Sequence, residues 1–324
     1  MMLLDVKKAF LYGYLQRKVY IELPPEDANS EGGQMMGLLN KAMYGLRDAP
    51  QVWQQEVRRI LKGMGFIESV TSPCVYVNPQ TSVRIVTHVD DFLCVGPRSA
   101  LDEFYGELSK VLDLTCEILG PSPGDGKVGQ FLGRKIEWNN WGITWQGDDR
   151  LLKDMLTEWG MEECSIVGTP CSKEEGAKPR EEGDVVMEDQ GRITRFRRAA
   201  AKINYMALDD PRIGFSSKVI SQVMARPTEE GEARIKRVIR FLKGQPGCEW
   251  RFVWQRRPTH LVGYSDSDWA GCPRTRRSTS GGGISMGKHL LTHWSRTQSC
   301  VSLSSGEAEL NAMLKAASEG LCLK

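Results

Sequence analysis

The chain has 324 residues, a net charge of +2 and a pI near 8.0, with 40% hydrophobic and 26% charged residues. This is ordinary globular material, long enough for two domains, and the small net charge means that any nucleic-acid footprint must come from local clusters of Lys and Arg. No run approaches the ~20 apolar residues of a membrane span, Asp5, Lys7 and Lys8 interrupt any signal-like start, and nine cysteines without a C-x-x-C pair beside four histidines argue against zinc. An odd cysteine count spread through apolar segments fits reduced thiols, so a soluble cytoplasmic or nuclear protein is expected.

Taken in chain order, the apolar run Met1-Met2-Leu3-Leu4 reads as a strand with Asp5 at its end, inside Asp5-Val6-Lys7-Lys8-Ala9-Phe10. Leu38-Leu39-Asn40-Lys41-Ala42-Met43-Tyr44-Gly45-Leu46-Arg47-Asp48-Ala49-Pro50 follows. Pro50 then opens a helix carrying Trp53, Val57, Ile60, Leu61 and Met64 on one face, ending near Gly63 and Gly65. On that spacing Trp53 is a core residue and not a base-stacking ring.

Next come Val83, Ile85 and Val89 in alternation and the apolar run Phe92 to Val95, two strands joined by a tight turn that carries Asp90 and Asp91. Asp is a common turn former, so the doublet has a plain structural reading. Its chemical reading is that three acids, Asp5, Asp90 and Asp91, meet at one sheet edge. There they can hold two divalent cations for in-line attack on a phosphodiester or nucleotide. Oxygen-only ligands favour Mg²⁺ or Mn²⁺.

Helices are expected at Leu101 to Val111 and Arg150 to Trp159, with a Gly-Pro-rich loop from Gly120 to Gly126 and the segment Gln130-Phe131-Leu132-Gly133-Arg134-Lys135-Ile136 between them. The charged stretch from Ser172 to Gly191 has little to bury and reads as a linker. Two helices follow, Phe196 to Leu208 and Pro211 to Met224, with Asp209 and Asp210 in a helix-ending turn that is not a metal site. A third helix buries Ile235, Val238, Ile239 and Leu242 and sets Arg234, Lys236, Arg237, Arg240 and Lys243 on its outer face. That face is either solvated or a phosphate contact. Further basic clusters are Arg192, Arg195, Arg197, Arg198 and Lys202, and Arg274, Arg276 and Arg277. Near the C-terminus, Leu261 to Cys272 carries Asp266 and Asp268 and is followed by two β-like runs. Ser304 and Glu307 then form a capping box ahead of a helix bearing Glu309.

The ordered series D-V-K-x-A-F, L-Y-G-L-x-x-A-P, V-D-D and F-L-G resembles the palm of a reverse transcriptase, most closely that of copia-type LTR retrotransposons. The resemblance implies an α+β fold: a right-hand palm with primer grip over 1–165, its fingers truncated, a charged linker over 166–192, a helical tether over 193–250 and a partial ribonuclease H-like domain over 251–324. By the same resemblance Asp5, Asp90 and Asp91 are metal ligands, with Asp91 the least direct. Phe10 is the aromatic gate beneath the incoming sugar, although a core phenylalanine reads equally well from the residues alone. Tyr44, Gly45, Arg47 and Pro50 line the template and nucleotide, and Phe131, Leu132 and Gly133 grip the primer end. Asp266 and Glu309 are the nuclease ligands, with Asp268 as the substitute for Asp266. His88 stands where the family has Tyr, either near the primer end or as a plain strand-face or core histidine. The implied function is Mg²⁺- or Mn²⁺-dependent synthesis of DNA from deoxynucleotides on an RNA or DNA template-primer, with an associated ribonuclease H. By the same comparison, fingers would precede Asp5 and nuclease aspartates would follow the last helix. The chain thus reads as a fragment, and the alternative function is a catalytically dead nucleic-acid-binding relic.

Overall fold

Strand β1 (Met2–Val6) sends its side chains alternately to two faces, with Met2, Leu4 and Val6 buried in a helical core and Asp5 exposed on the opposite side. The computed structural model to which this strand belongs describes residues 1–23, 36–171, 185–272 and 275–323. Residues 172–184, within the expected linker, and Arg274 lie outside the described residues. The chain divides into two compact units, Met1–Leu132 and Gly133–Lys324, a division by packing where the sequence reading used motif and linker composition.

In the first unit, β2 (Tyr20–Glu22) and β3 (Met36–Leu38) form a separate antiparallel pair. Helix α1 (Ala49–Gly63) starts with Pro50 in its first turn and buries Trp53, Val57, Ile60 and Leu61, as its spacing predicts. The main sheet is built from β4 (Ile67–Glu68), β5 (Val75–Val77), β6 (Arg84–His88), β7 (Asp91–Val95), β1 and β8 (Leu114–Ile118), side by side in that order and antiparallel throughout. Helix α2 (Arg98–Leu108), three residues earlier than expected at both ends, joins α1 in one core: Trp53, Leu61, Phe104 and Leu108 pack against Met2, Leu4, Ile85 and Phe92. On the other side of the sheet, β9 (Val128–Phe131) approaches so closely that a Cβ on Gly129 would lie 2.6 Å from Leu3 Cδ1 and push that side chain aside.

In the second unit, β11 (Gly142–Gln146) is paired antiparallel with β10 (Arg134–Asn139) on one side and β12 (Glu249–Val253) on the other. Helices α3 (Arg150–Trp159), α4 (Gln190–Met206), α5 (Gly214–Ser221) and α6 (Glu229–Gly244) share a core of Met155, Phe196, Ile203, Ile235, Ile239 and Leu242. A further antiparallel sheet of β13 (Val262–Ser267), β14 (Thr279–Met286) and β15 (His289–Thr297) is covered by α7 (Ser305–Cys322).

Capping chemistry fixes several of these boundaries. Asp189 accepts a hydrogen bond from the Arg192 amide at 2.6 Å, which starts α4 at Gln190, earlier than its apolar pattern suggests. Thr228 caps α6, whose first turn holds Glu229, Glu230 and Glu232 and whose last turn holds Lys243, matching the helix dipole at both ends.

The basic faces need correcting. Arg237 donates to Thr169 Oγ1 at 2.9 Å, Arg240 to the Ser165 carbonyl at 2.7 Å, and Lys243 to the carbonyls of Glu162 and Cys164, so the outer face of α6 fastens the segment after α3 instead of facing outward. On α4, Arg192 pairs with Glu232, Arg198 with Glu158, and Arg197 donates to the carbonyls of Met224 and Ala225. Carbonyls, carboxylates and a threonine hydroxyl of this unit therefore accept from basic groups on both helices.

Candidate active site

The two-residue turn Val89–Asp90 joins β6 to β7, closed by the pairing of His88 with Asp91. Only Asp90 lies in the turn. Asp91 is the first residue of β7, where the sequence placed both acids at the tip. The register then does the rest. Asp5 on β1 stands directly opposite Asp91 on β7, and Leu3 opposite Leu93, so the two carboxylates share the sheet face turned away from the helical core. The Val6 amide donates to the Asp90 carbonyl at 2.9 Å and ties the turn to the residue after Asp5. Thr115, the β8 neighbour of Asp5, donates its hydroxyl to Asp5 Oδ2 at 3.5 Å.

Electrostatics at this strand end are unbalanced. Partial burial first, then repulsion from Asp90 and from Asp5, raises the Asp91 carboxyl above the usual carboxylate range, opposed only by His88. No Lys or Arg among the described residues forms an ion pair with any of the three acids. His88 is exposed at the end of β6, so the core reading of that residue is excluded and the strand-face reading stands. Carboxylates are hard oxygen donors, and a divalent cation beside Asp91 would relieve the repulsion that Asp90 and Asp5 exert on it. Among the described residues no group of three or more His, Cys, Asp or Glu side chains is placed so that it could hold a metal ion.

Phe10 is half-buried, with its ring centroid 4.7 Å from that of the exposed Tyr44. Gly45 has φ +94°, a conformation that favours glycine. Arg47 and Pro50 are exposed, and Asp48 between them is held by Arg17 through bonds of 2.7 and 2.9 Å. Phe131 is buried, and Leu132 and Gly133 both have positive φ, at 50° and 76°.

One residue escaped the sequence reading. Trp53 is in the core as expected, at 1% exposure, but its indole N–H donates to the Val89 carbonyl at 2.6 Å, in the turn itself. A backbone carbonyl leaves no mark in the sequence, so only the unusual burial of an indole donor hinted at a partner.

In the second unit, Asp266 is exposed on β13, and Glu309 on α7 accepts the amide of Ser267, the next residue, at 3.2 Å. Asp268 accepts the Thr279 amide at 2.5 Å and so has a structural task. Glu307 also has one: Ser304 accepts its amide at 3.1 Å, while its own carboxylate accepts the Leu303 amide at 2.7 Å.

The family described as reverse transcriptase (RNA-dependent DNA polymerase) matches residues 1–173, which contain every part of the strand-end cluster. The chain belongs to the reverse transcriptase family. It is 28% identical, across 99% of its length, to the retrovirus-related Pol polyprotein from transposon TNT 1-94 of Nicotiana tabacum. It is also 30% identical, across 98% of its length, to the corresponding polyprotein from transposon RE1 of Arabidopsis thaliana. These are polyproteins of copia-type transposons, as the motif series implied. The chain spans 24% of the first and 21% of the second. Among the described residues no helix is long and apolar enough to cross a membrane.

Proposed function

We propose that the first unit is the palm of an RNA-directed DNA polymerase and that Asp5, Asp90 and Asp91 are its catalytic carboxylates. The observation that carries this reading is the register that sets Asp5 opposite Asp91 on the open face of the sheet, with the turn that bears Asp90 bonded back to Val6. On this reading Asp5 and Asp90 hold Mg²⁺ or Mn²⁺, with Asp91 lending charge from the second position. The cation supplies Lewis-acid stabilisation of charge at the transferring phosphoryl group. The chain's own residues do the rest. Phe10, braced by Tyr44, limits the space beside the sugar of a deoxynucleotide. Gly45 keeps the backbone low beneath the template, where Arg47 and Pro50 are exposed. Phe131, Leu132 and Gly133 support the primer end.

For the second unit we extend the reading to a ribonuclease H-like site in which Asp266 and Glu309 act on the RNA strand of a hybrid, 193–250 serving as a tether. The hydrogen bond from the Ser267 amide to Glu309 supports it by setting that carboxylate beside the strand that carries Asp266. The rival reading is a nucleic-acid-binding relic whose basic helices survive without productive metal binding, and the internal bonds of Arg240, Lys243 and Arg192 weigh against it by reducing what those helices offer a phosphate backbone.

The test is primer extension by the purified chain on an RNA or DNA template-primer with Mg²⁺ or Mn²⁺. Asp90→Asn is expected to lower the rate at least about a hundredfold, equivalent to about 2.7 kcal/mol of transition-state stabilisation. Equal extension by the variant would overturn the assignment.

A further inference from the structure

Val89 has φ +55°, which is unfavourable for a β-branched residue and persists only where neighbours impose it. It occupies the first position of the turn that presents Asp90. We propose that Trp53 is a positioning residue for the carboxylates: its buried indole N–H holds the Val89 carbonyl and so fixes the conformation from which Asp90 leaves the sheet. This inference rests on the polymerase reading above for its functional meaning, although its structural content stands apart from it.

The turn is held at two successive carbonyls. Trp53 on α1 takes the carbonyl of Val89, and the Val6 amide on β1 takes that of Asp90. The indole has little freedom to move, since its ring is 1% exposed, lies 6.1 Å from that of Tyr12, and is packed in the core with Phe92 and Val57. By contrast Val89 is 43% exposed, so packing on its own side chain does little to impose the strained backbone. The two-residue hairpin closed by His88 and Asp91 asks for positive φ at its first position, and the directional bond from the core reinforces it. If that bond is removed, Val89 relaxes toward negative φ, the Asp90 carbonyl turns away from Val6, and the distance between Asp90 and Asp5 is no longer set.

The experiment uses the full chain as wild type, Trp53→Phe, Val89→Gly and the double variant. Phenylalanine keeps most of the ring and deletes the donor, and glycine adopts positive φ without help. Amide hydrogen exchange is read at Val6, which reports the turn, and at Leu119, whose amide bonds the Met1 carbonyl at the other end of β1. Trp53→Phe is expected to accelerate exchange at Val6 about tenfold more than at Leu119, and Val89→Gly added to it is expected to restore Val6 to within about twofold of wild type. Equal acceleration at both amides, or no restoration by glycine, would show that Trp53 is a core residue only and would overturn the inference. Primer extension on the same four proteins should follow the same order, with kcat falling and the KM for deoxynucleotide little changed. If wild type extends no primer, the polymerase reading fails, while the exchange pattern still decides the role of Trp53.

Discussion

Two Asp-Asp pairs in this chain have opposite surroundings. Asp209 receives Arg134 through Nε at 3.2 and 3.0 Å and through Nη2 at 3.0 Å, and the Trp145 indole at 3.2 Å, with both ionic side chains little exposed. Asp210 accepts the Arg212 amide at 3.0 Å and its guanidinium at 2.8 and 2.7 Å. Every charge there has a partner, and the pair ends a helix and starts a short 3₁₀ turn, as its sequence suggests. Asp91 instead has Asp90 beside it and a third acid, Asp5, opposite it, with a lone histidine opposing the repulsion. Identical dipeptides thus serve structure in one place and stored charge in the other, and the neighbours decide which. Repulsion among carboxylates opposes folding unless something offsets it, and on the polymerase reading proposed above a divalent cation does so.

The contrast can be broken most forcefully at the compensated pair. Asp209→Ala leaves a largely buried guanidinium without its carboxylate and is expected to cost about 3–5 kcal/mol in urea unfolding. A loss below about 1 kcal/mol would mean that the pair is no more than a surface contact. Asp210→Ala, which deletes a cap and the Arg212 bonds, should cost about 1–2 kcal/mol by the same measurement. Trp145→Phe removes one donor to Asp209 and should cost about 1 kcal/mol.

At the uncompensated cluster the sign reverses. The folded state raises the Asp91 carboxyl above its unfolded value, so folded protein holds that proton more tightly. Stability from this group is therefore complete below the unfolded value, about pH 3.9, and is lost as pH rises through the raised folded value. Asp91→Asn should accordingly raise Tm slightly at pH 7, and the gain should shrink as pH falls toward 4. A Tm lowered at pH 7 would contradict this account of the cluster.

Much of this was legible in the sequence because it depends on periodicity and local caps. Apolar Ile85 and the run from Phe92 to Val95 mark the strands beside the doublet, although Val89, which the alternation assigns to the first strand, lies in the turn; the spacing of Trp53, Val57 and Leu61 marks α1, and Ser304 with Glu307 marks the start of α7. What stayed hidden depends on partners remote in sequence or without side-chain identity. Arg240 and Lys243 bind backbone carbonyls 75 to 81 residues away, which no composition rule reveals, so the sequence leaves their face either solvated or in contact with phosphate. Asp91 left the turn for the strand because the His88–Asp91 pairing closes a two-residue turn, a register that the apolar pattern leaves open by one position. Trp53 was placed correctly, and only its bond to Val89 was missed.

The central claim, that the strand-end carboxylates form a cation site, is tested most directly by titrating the full chain with Mn²⁺ and following free Mn²⁺ by electron paramagnetic resonance. Wild type is expected to take up the ion, with uptake largely lost in Asp5→Asn and in Asp90→Asn and retained in Asp210→Asn. Uptake that survives both of the first two substitutions, or that vanishes only with the third, would contradict the account.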